Sequence, residues 1–453
     1  MSTSVSPGCL LLSDPVRLFA QGAAFVYGLG DVTASSTTAP TLALETEMAQ
    51  PDKPTEARVK PDTAWAASTY FAEGLPFSIV HKVSSEYLVH ANVSAEVIGL
   101  ANLAHLPWNL KFVWAPLVDR FSTTKRWMVV AQLAIAAATL FLAAFAATFV
   151  PWAFAVALCL IAVFAATNDI AIDGYYLRRL PPERQGALTG VRIGAYRVAL
   201  MVGSGGIVTL GGVYGFPLAF TVAGLLLGAL GVGHAVLLAK DDRGEVQTSV
   251  ARVVTSAGRT FFAQRGIGVA LVVLVTYRAG DALMFGMNAK FLSELGLDTA
   301  TRGIVNGTFG TVASIAGSLA GAWAIARYTF ERAFVPLTML QSAAILLYAF
   351  LAATRPGLPV ISAVVLVEQL IAGAGTASLF VFLMRLCKGE QKATQYAFAS
   401  SMMSLAVLGA GATSGFLFTR LGSTKFFVVA FLASIPGVLA SLFVKLEPAP
   451  AKA

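Results

Sequence analysis

Charge is what this chain most lacks. Of its 453 residues only 12% are Asp, Glu, Lys or Arg, about half the ~25% of an ordinary soluble domain. A water-exposed globule of this length is therefore excluded. The four histidines, His81, His90, His105 and His234, are scattered without the spacing of a metal-ligand set. The three cysteines, Cys9, Cys159 and Cys387, are as far apart, and Cys159 falls in an apolar run, so neither a disulfide framework nor a thiolate metal site is indicated. No GxxxxGK[ST] loop is present to hold nucleotide phosphates. Signatures of an enzyme, a resident metal or a cofactor are missing, and no nucleic-acid partner is expected.

What is abundant is apolar length. Hydrophobic residues make up 57% of the sequence and the mean hydropathy is +0.73, which places the chain among polytopic membrane proteins. Twelve stretches approach the ~20 residues needed to cross a bilayer. They are segments 1 to 12, at about 63–89, 95–118, 127–149, 151–175, 187–213, 216–239, 267–292, 300–325, 333–353, 359–384, 394–419 and 425–445. The fold class expected is an all-α membrane protein in a lipid bilayer, and a monomer.

The balance of 32 basic against 24 acidic residues gives a net charge of +8, but where the charges lie matters more than their sum. Connections after even-numbered segments carry the Lys and Arg, among them Lys125, Arg126, Arg178, Arg179, Arg184, Lys240, Arg259 and Arg385; those after odd-numbered segments hold little beyond Arg302, Arg355 and Arg420. Positive loops stay cytoplasmic, so both termini are expected there. Residues 1–62 stand outside the apolar pattern. They are polar and Pro-punctuated, without a signal h-region, and read as a disordered tail in which Met48 is an alternative start.

A polar, basic linker at 240–266 separates residues 63–239 from 267–446, and a short tail follows at 447–453. Repetition supports the cut. Thr69-Tyr70 recurs as Thr276-Tyr277 and Arg120 as Arg327, both at an offset of 207, while LRRL at 177–180 returns as LMRL at 383–386, offset 206. Two parallel six-helix halves follow, with binding expected at their interface near mid-membrane.

Ionisable residues inside apolar segments are costly and tend to face a bundle interior or a cavity. Asp169 and Asp173 in segment 4 lie four residues apart, hence on one helix face; Arg192 and Arg197 in segment 5 are the nearest cationic candidates. Segment 1 holds Glu73 beside Gly74 and Pro76, then His81, Lys82 and Glu86. Lys82 and Glu86 have the spacing of an ion pair, or else lie solvated at the headgroup level. Segment 7 places Arg278 and Asp281 one turn apart, either as a site or as a self-neutralising pair. In segment 10, Glu368-Gln369 precedes the small-residue patch AGAGTAS, which admits close helix approach or a ligand. His105, Asn109 and Lys111 in segment 2, with His81 and Gln369, are cavity-lining candidates. His234 reads as a packed or interfacial histidine. Carboxylates each near a cation suit proton coupling, since protonation releases the ion pair.

Certain motifs then stand in a familiar order: EGLP at Glu73, WAPLVDR from Trp114 through Pro116 and Asp119 to Arg120, DIAIDGY at Asp169, Tyr196-Arg197, YRAGDA at Tyr277 and EQLIAGAGTAS at Glu368. Over about residues 65–445 the chain resembles the major facilitator superfamily, and within it the peptide/acetyl-coenzyme A transporter group that contains AmpG-type muropeptide permeases. The resemblance implies a twelve-helix permease of the bacterial inner membrane that moves a small-molecule substrate by alternating access. For the muropeptide permeases it implies proton-driven import of anhydro-sugar peptides. It also implies that Trp114, Pro116, Asp119 and Arg120 form a cytoplasmic gate loop. Asn168 stands where the group has Gln, and His81-Lys82 adds a positive centre that suits an anionic solute. Siderophore, acetyl-coenzyme A and drug carriers share the neighbourhood. A sensor or scaffold, the reading from another class, would bring a soluble effector domain, and none is visible.

Overall fold

The long helices of segments 3 to 12 begin and end close to where apolar length runs out. The computed structural model describes residues 56–240, 250–388 and 392–444, so tail residues 1–55, Met48 among them, and 447–453 lie outside the described residues. Ten helices there are long and apolar enough to cross a membrane, and they coincide with segments 3 to 12. Segment 3 is Thr124–Phe145, segment 4 Pro151–Arg179 and segment 6 Phe216–Leu237. Pro at the first turn starts segments 4, 6 and 10, where a missing N–H leaves no bond unmade.

Segments 1 and 2 are helical but irregular. Segment 1 begins at Glu56, earlier than expected, and runs to His90 through a π-helical turn at Ile79–Val83. Its start is tied down by Asp62, which accepts from the Arg184 guanidinium at 2.5 Å and from Trp65 Nε1 at 3.1 Å. Segment 2 is a chain of short pieces: α-helix Ala95–Ala101, 3₁₀ turn Asn102–His105, α-helix Leu106–Leu110, 3₁₀ turn Lys111–Val113 and α-helix Ala115–Phe121. The expected loop at WAPLVDR is thus largely helical, with Pro116 in its first turn. The 240–266 linker likewise contains a helix, Val250–Phe262, which buries Ala257 and Phe261, one turn apart, beside segment 11.

Within residues 63–239, segment 3 packs along segments 4 and 6, and segment 1 along 5 and 4. Within 267–446, segment 10 packs along 8 and 9, and segment 12 along 9 and 7. Contacts between the two sets join segment 2 to 11 and segment 5 to 8. The latter joint is built from two π-helical turns, Val202–Ile207 and Gly303–Phe309, a geometry common where a helix is interrupted for function. It closes because the residues are small: a Cβ on Gly307 would run into the Ser204 carbonyl oxygen, and one on Gly205 into the Thr308 hydroxyl. Gly307→Val is therefore expected to destabilise this joint by about 1–3 kcal/mol, the usual cost of overpacking, read as a lower Tm of the purified protein.

Candidate functional site

A cavity of about 750 Å³ lies between the two sets of helices. Gln185 and Gly186 among its lining residues carry it to the end of the bundle with the basic loops. Its wall takes Glu73, Arg192 and Arg197 from the first set and Arg278, Gln369 and Phe285 from the second. Behind the first wall the helical spacing of Asp169 and Asp173 does what it dictates, presenting both carboxylates to one neighbourhood. Asp173 accepts from the Arg192 guanidinium at 3.0 Å and from the Tyr70 hydroxyl at 2.7 Å. The Arg192 guanidinium carbon lies over the rings of Tyr70 and Tyr176, at 4.3 and 4.5 Å, so that two aromatic faces hold the cation beside Asp173.

Asp169 is paired differently from expectation. Its partner is the Lys111 ammonium, brought there by the 3₁₀ turn that breaks segment 2, while Arg197 forms no ion pair among the described residues and faces the cavity. Glu73 lies within electrostatic reach of Asp169, Asp173 and Lys111, and its Oε2 is buried without a hydrogen-bond partner. Three carboxylates thus share two cations, Lys111 and Arg192. Asn168, next to Asp169, is locked by a buried polar chain: it donates to the Ala72 carbonyl at 3.2 Å, accepts from Gln132 at 3.2 Å, and Gln132 accepts from His234 at 2.7 Å. His234 is a packed histidine, its other nitrogen accepting from Ser68 at 3.0 Å.

In the second set the helix of segment 7 breaks between Thr276 and Ala279. Asp281, 2% exposed, accepts from Gln341, whose own oxygen accepts from the Tyr277 hydroxyl at 2.5 Å. Arg278 stands 4.0 Å from Asp281, and its Nε has no hydrogen bond, so the pair is loose and Arg278 turns to the cavity. Glu368 is buried and bonded by its neighbour Gln369 at 3.1 Å.

The Major Facilitator Superfamily model matches residues 66–410. The chain belongs to the major facilitator superfamily. The superfamily member is similar to the anhydromuropeptide permease of Escherichia coli strain K12, 29% identical over 392 residues, covering 82% of this chain and 77% of that protein. Its fold is similar to the crystal structure of nucleoside transporter NupG, with TM-score 0.65 at 12% identity over 84% of this chain and 97% of the other. The POT family transporter PepTSo gives 0.59 at 12% identity, over 84% and 96%. The protein is a multi-pass membrane transporter of small molecules and not an enzyme.

Not every candidate residue of this permease meets at the cavity. Gln369 lines it, but His81, His105, Asn109 and Lys111 do not. His81 and His105 border a separate recess between segments 1 and 2, Asn109 is buried with its Nδ2 unpaired, and Lys111 is spent on Asp169. The irregular turns of segment 2 cause this, since they rotate its polar residues away from the positions a straight helix would give them. Of the gate residues, Trp114 donates to the Thr167 hydroxyl at 3.2 Å; the side chains of Pro116, Asp119 and Arg120 lie outside the described residues.

The Lys82–Glu86 pair is not formed either. Glu86 accepts from Arg302 Nε at 2.7 Å, and Lys82 sits over the Phe285 ring at 4.8 Å. Arg302, which read as a loop charge, is in fact 2% exposed. Tyr70, Tyr176, Gln341 and Gln132 escaped notice because uncharged polar residues in an apolar run carry no warning in the sequence.

Proposed function

We propose that this permease is a proton-coupled symporter that imports a polar, anionic solute of the anhydromuropeptide class by alternating access between its two six-helix halves. The observation that carries the reading is the cavity. About 750 Å³ falls within the ~300–1,000 Å³ typical of small-molecule sites, and among the described residues its wall presents Arg192, Arg197 and Arg278 against one carboxylate, Glu73. Arg192 and Arg278 have acidic neighbours behind them; Arg197 forms no ion pair among the described residues. An excess of guanidinium suits carboxylates on the solute, and the aromatic faces of Phe77 and Tyr196 in the same wall suit the apolar face of a sugar ring.

Proton coupling is supported by the charge count behind that wall. Three carboxylates with two cations leave one carboxylate that a proton would neutralise, and the buried unpaired oxygen of Glu73 is where it would bind. Glu73, Asp169, Asp173, Asp281 and Glu368 are the proposed proton and substrate carboxylates. Arg192 is the partner of Asp173 and Arg278 of Asp281, leaving Arg197 for the solute. The enclosed end of the bundle is then the outer one, both termini are cytoplasmic, and the protein works as a monomer in a bacterial inner membrane.

Uptake of labelled anhydromuropeptide into permease-deleted cells expressing this chain tests the reading. Uptake that an uncoupler abolishes is expected. Well-expressed protein without uptake would discard the muropeptide class, and uptake indifferent to the uncoupler would discard the coupling.

A further inference from the structure

The lipid-facing surface of the bundle is grooved where segments 3 and 6 pack together, at the end with the basic loops. The hollow measures about 500 Å³ and lies open. Val129, Val130 and Ala235 line its deeper part, and Ser122, Lys125 and Arg126 line its head. Next to Ala235, Val236 and Leu237 are 76% and 83% exposed. Apolar side chains left exposed on spanning helices meet acyl chains, so lipid fills this groove.

The head of the groove has charge of one sign. Among the described residues its lining holds two cations, Lys125 and Arg126, and no carboxylate. Both belong to the first turn of Thr124–Phe145. Lys125 stands one turn before Val129 and Arg126 one turn before Val130, so each cation shares a helix face with an apolar wall residue. The Lys125 ammonium donates to the Leu238 carbonyl, which ties segment 3 to the end of segment 6 and holds that charge in place. Arg126 is exposed, and its side chain forms no ion pair among the described residues. The dipole of segment 3 adds to the same positive field. Trp127 completes the lining, and its indole N–H is buried without an acceptor. Its ring packs on the cluster that contains Tyr70 and Tyr176, the two rings beneath Arg192.

We propose that this groove binds an anionic phospholipid from the leaflet at the basic end, with the phosphate at Lys125 and Arg126 and one acyl chain along Val129, Val130 and Ala235. Ammonium and guanidinium both give phosphate oxygens charge-assisted hydrogen bonds. A zwitterionic headgroup carries its own cation, which the same two residues repel. A free inorganic anion would leave the apolar wall unused. Basic recesses between spanning helices are recurrent sites for anionic headgroups, and a headgroup oxygen is the class of acceptor that Trp127 lacks. Bound there, the lipid braces Trp127 against Tyr70 and Tyr176, and so stiffens the wall that carries Arg192. This binding does not depend on what the cavity transports or on proton coupling.

Tryptophan quenching by brominated lipid, with the full-length protein in vesicles, is the test. The Trp127 signal is the difference between the parent and Trp127→Phe. As a minor component of phosphatidylcholine vesicles, phosphatidylglycerol brominated on its acyl chains should quench that signal more than brominated phosphatidylcholine at the same fraction. Arg126→Gln should lower the preference about five-fold, the weight of one basic residue at an anionic surface, and Arg126→Lys should keep it. Arg126 is exposed, so both variants should fold as the parent does. Equal quenching by the two lipids would overturn the proposal, leaving only the ordinary contact of a helix with the bilayer. A preference unchanged in Arg126→Gln would overturn it too. Loss of the preference to millimolar inorganic phosphate, with chloride at the same ionic strength inert, would assign the head of the groove to a soluble anion instead.

Discussion

Asp173→Asn is expected to lower the initial rate of solute uptake by about 10- to 100-fold without changing the amount of protein in the membrane. The two effects separate because they draw on different energies. Asp173 and Arg192 are 44% and 31% exposed at their side chains, and a pair so open contributes about 0–1 kcal/mol to stability. The fold should tolerate its loss. Function should not. Asn keeps an acceptor for the Tyr70 hydroxyl but removes the charge, and a hydrogen bond to a charged group is worth about 1.5–3 kcal/mol. Arg192 would then turn to Glu73, the neighbouring carboxylate within its field. Three carboxylates sharing two cations become two sharing two, and the surplus group that would bind the proton is gone. Asp173→Glu, which keeps the charge, should retain much of the activity. Normal uptake by Asp173→Asn, normalised to abundance, would remove Asp173 from the site.

The long helices were legible because burying about twenty residues in lipid leaves the backbone one arrangement per segment, and the apolar runs mark their own ends. The helical spacing of Asp169 and Asp173 was legible for the same reason. Partnership was not. Lys111 meets Asp169 only because segment 2 breaks at a 3₁₀ turn, and nothing in Asn109-Leu110-Lys111 announces that break. Arg302 read as an outer-loop charge because it lies three residues after the end of a polar connection; it turns inward to Glu86, a partner 216 residues away in the chain, which no hydropathy pattern encodes. Sequence patterning reports the regular helix, and in this permease much of the chemistry sits where the helix is irregular.

Glu86 and Arg302 show what such an irregularity can hold. Their side chains are 7% and 2% exposed, and they join segment 1 to the start of segment 8 at the end away from the basic loops. Arg302 is further fixed by the Leu297 carbonyl at 2.5 Å and the Thr299 hydroxyl at 3.2 Å. Removing one partner of a buried pair leaves the other charge uncompensated, at about 3–5 kcal/mol. Charged only to the enclosed arrangement, that penalty would shift the balance between states by roughly 10²- to 4 × 10³-fold, since 1.4 kcal/mol is tenfold. Glu86→Gln is therefore expected to open this end. Spin labels at the exposed positions Ser94 and Arg420, beside the outer ends of segments 2 and 11, should report a longer distance population that is minor in the parent. The double variant Glu86→Leu with Arg302→Met should restore the short distance, because an apolar pair of similar size replaces a buried ion pair at little or no cost. A single variant that stays closed would show that the glycine joint between segments 5 and 8 holds this end by itself. A double variant as open as the single would mean that the charge pair supplies geometry that apolar packing cannot.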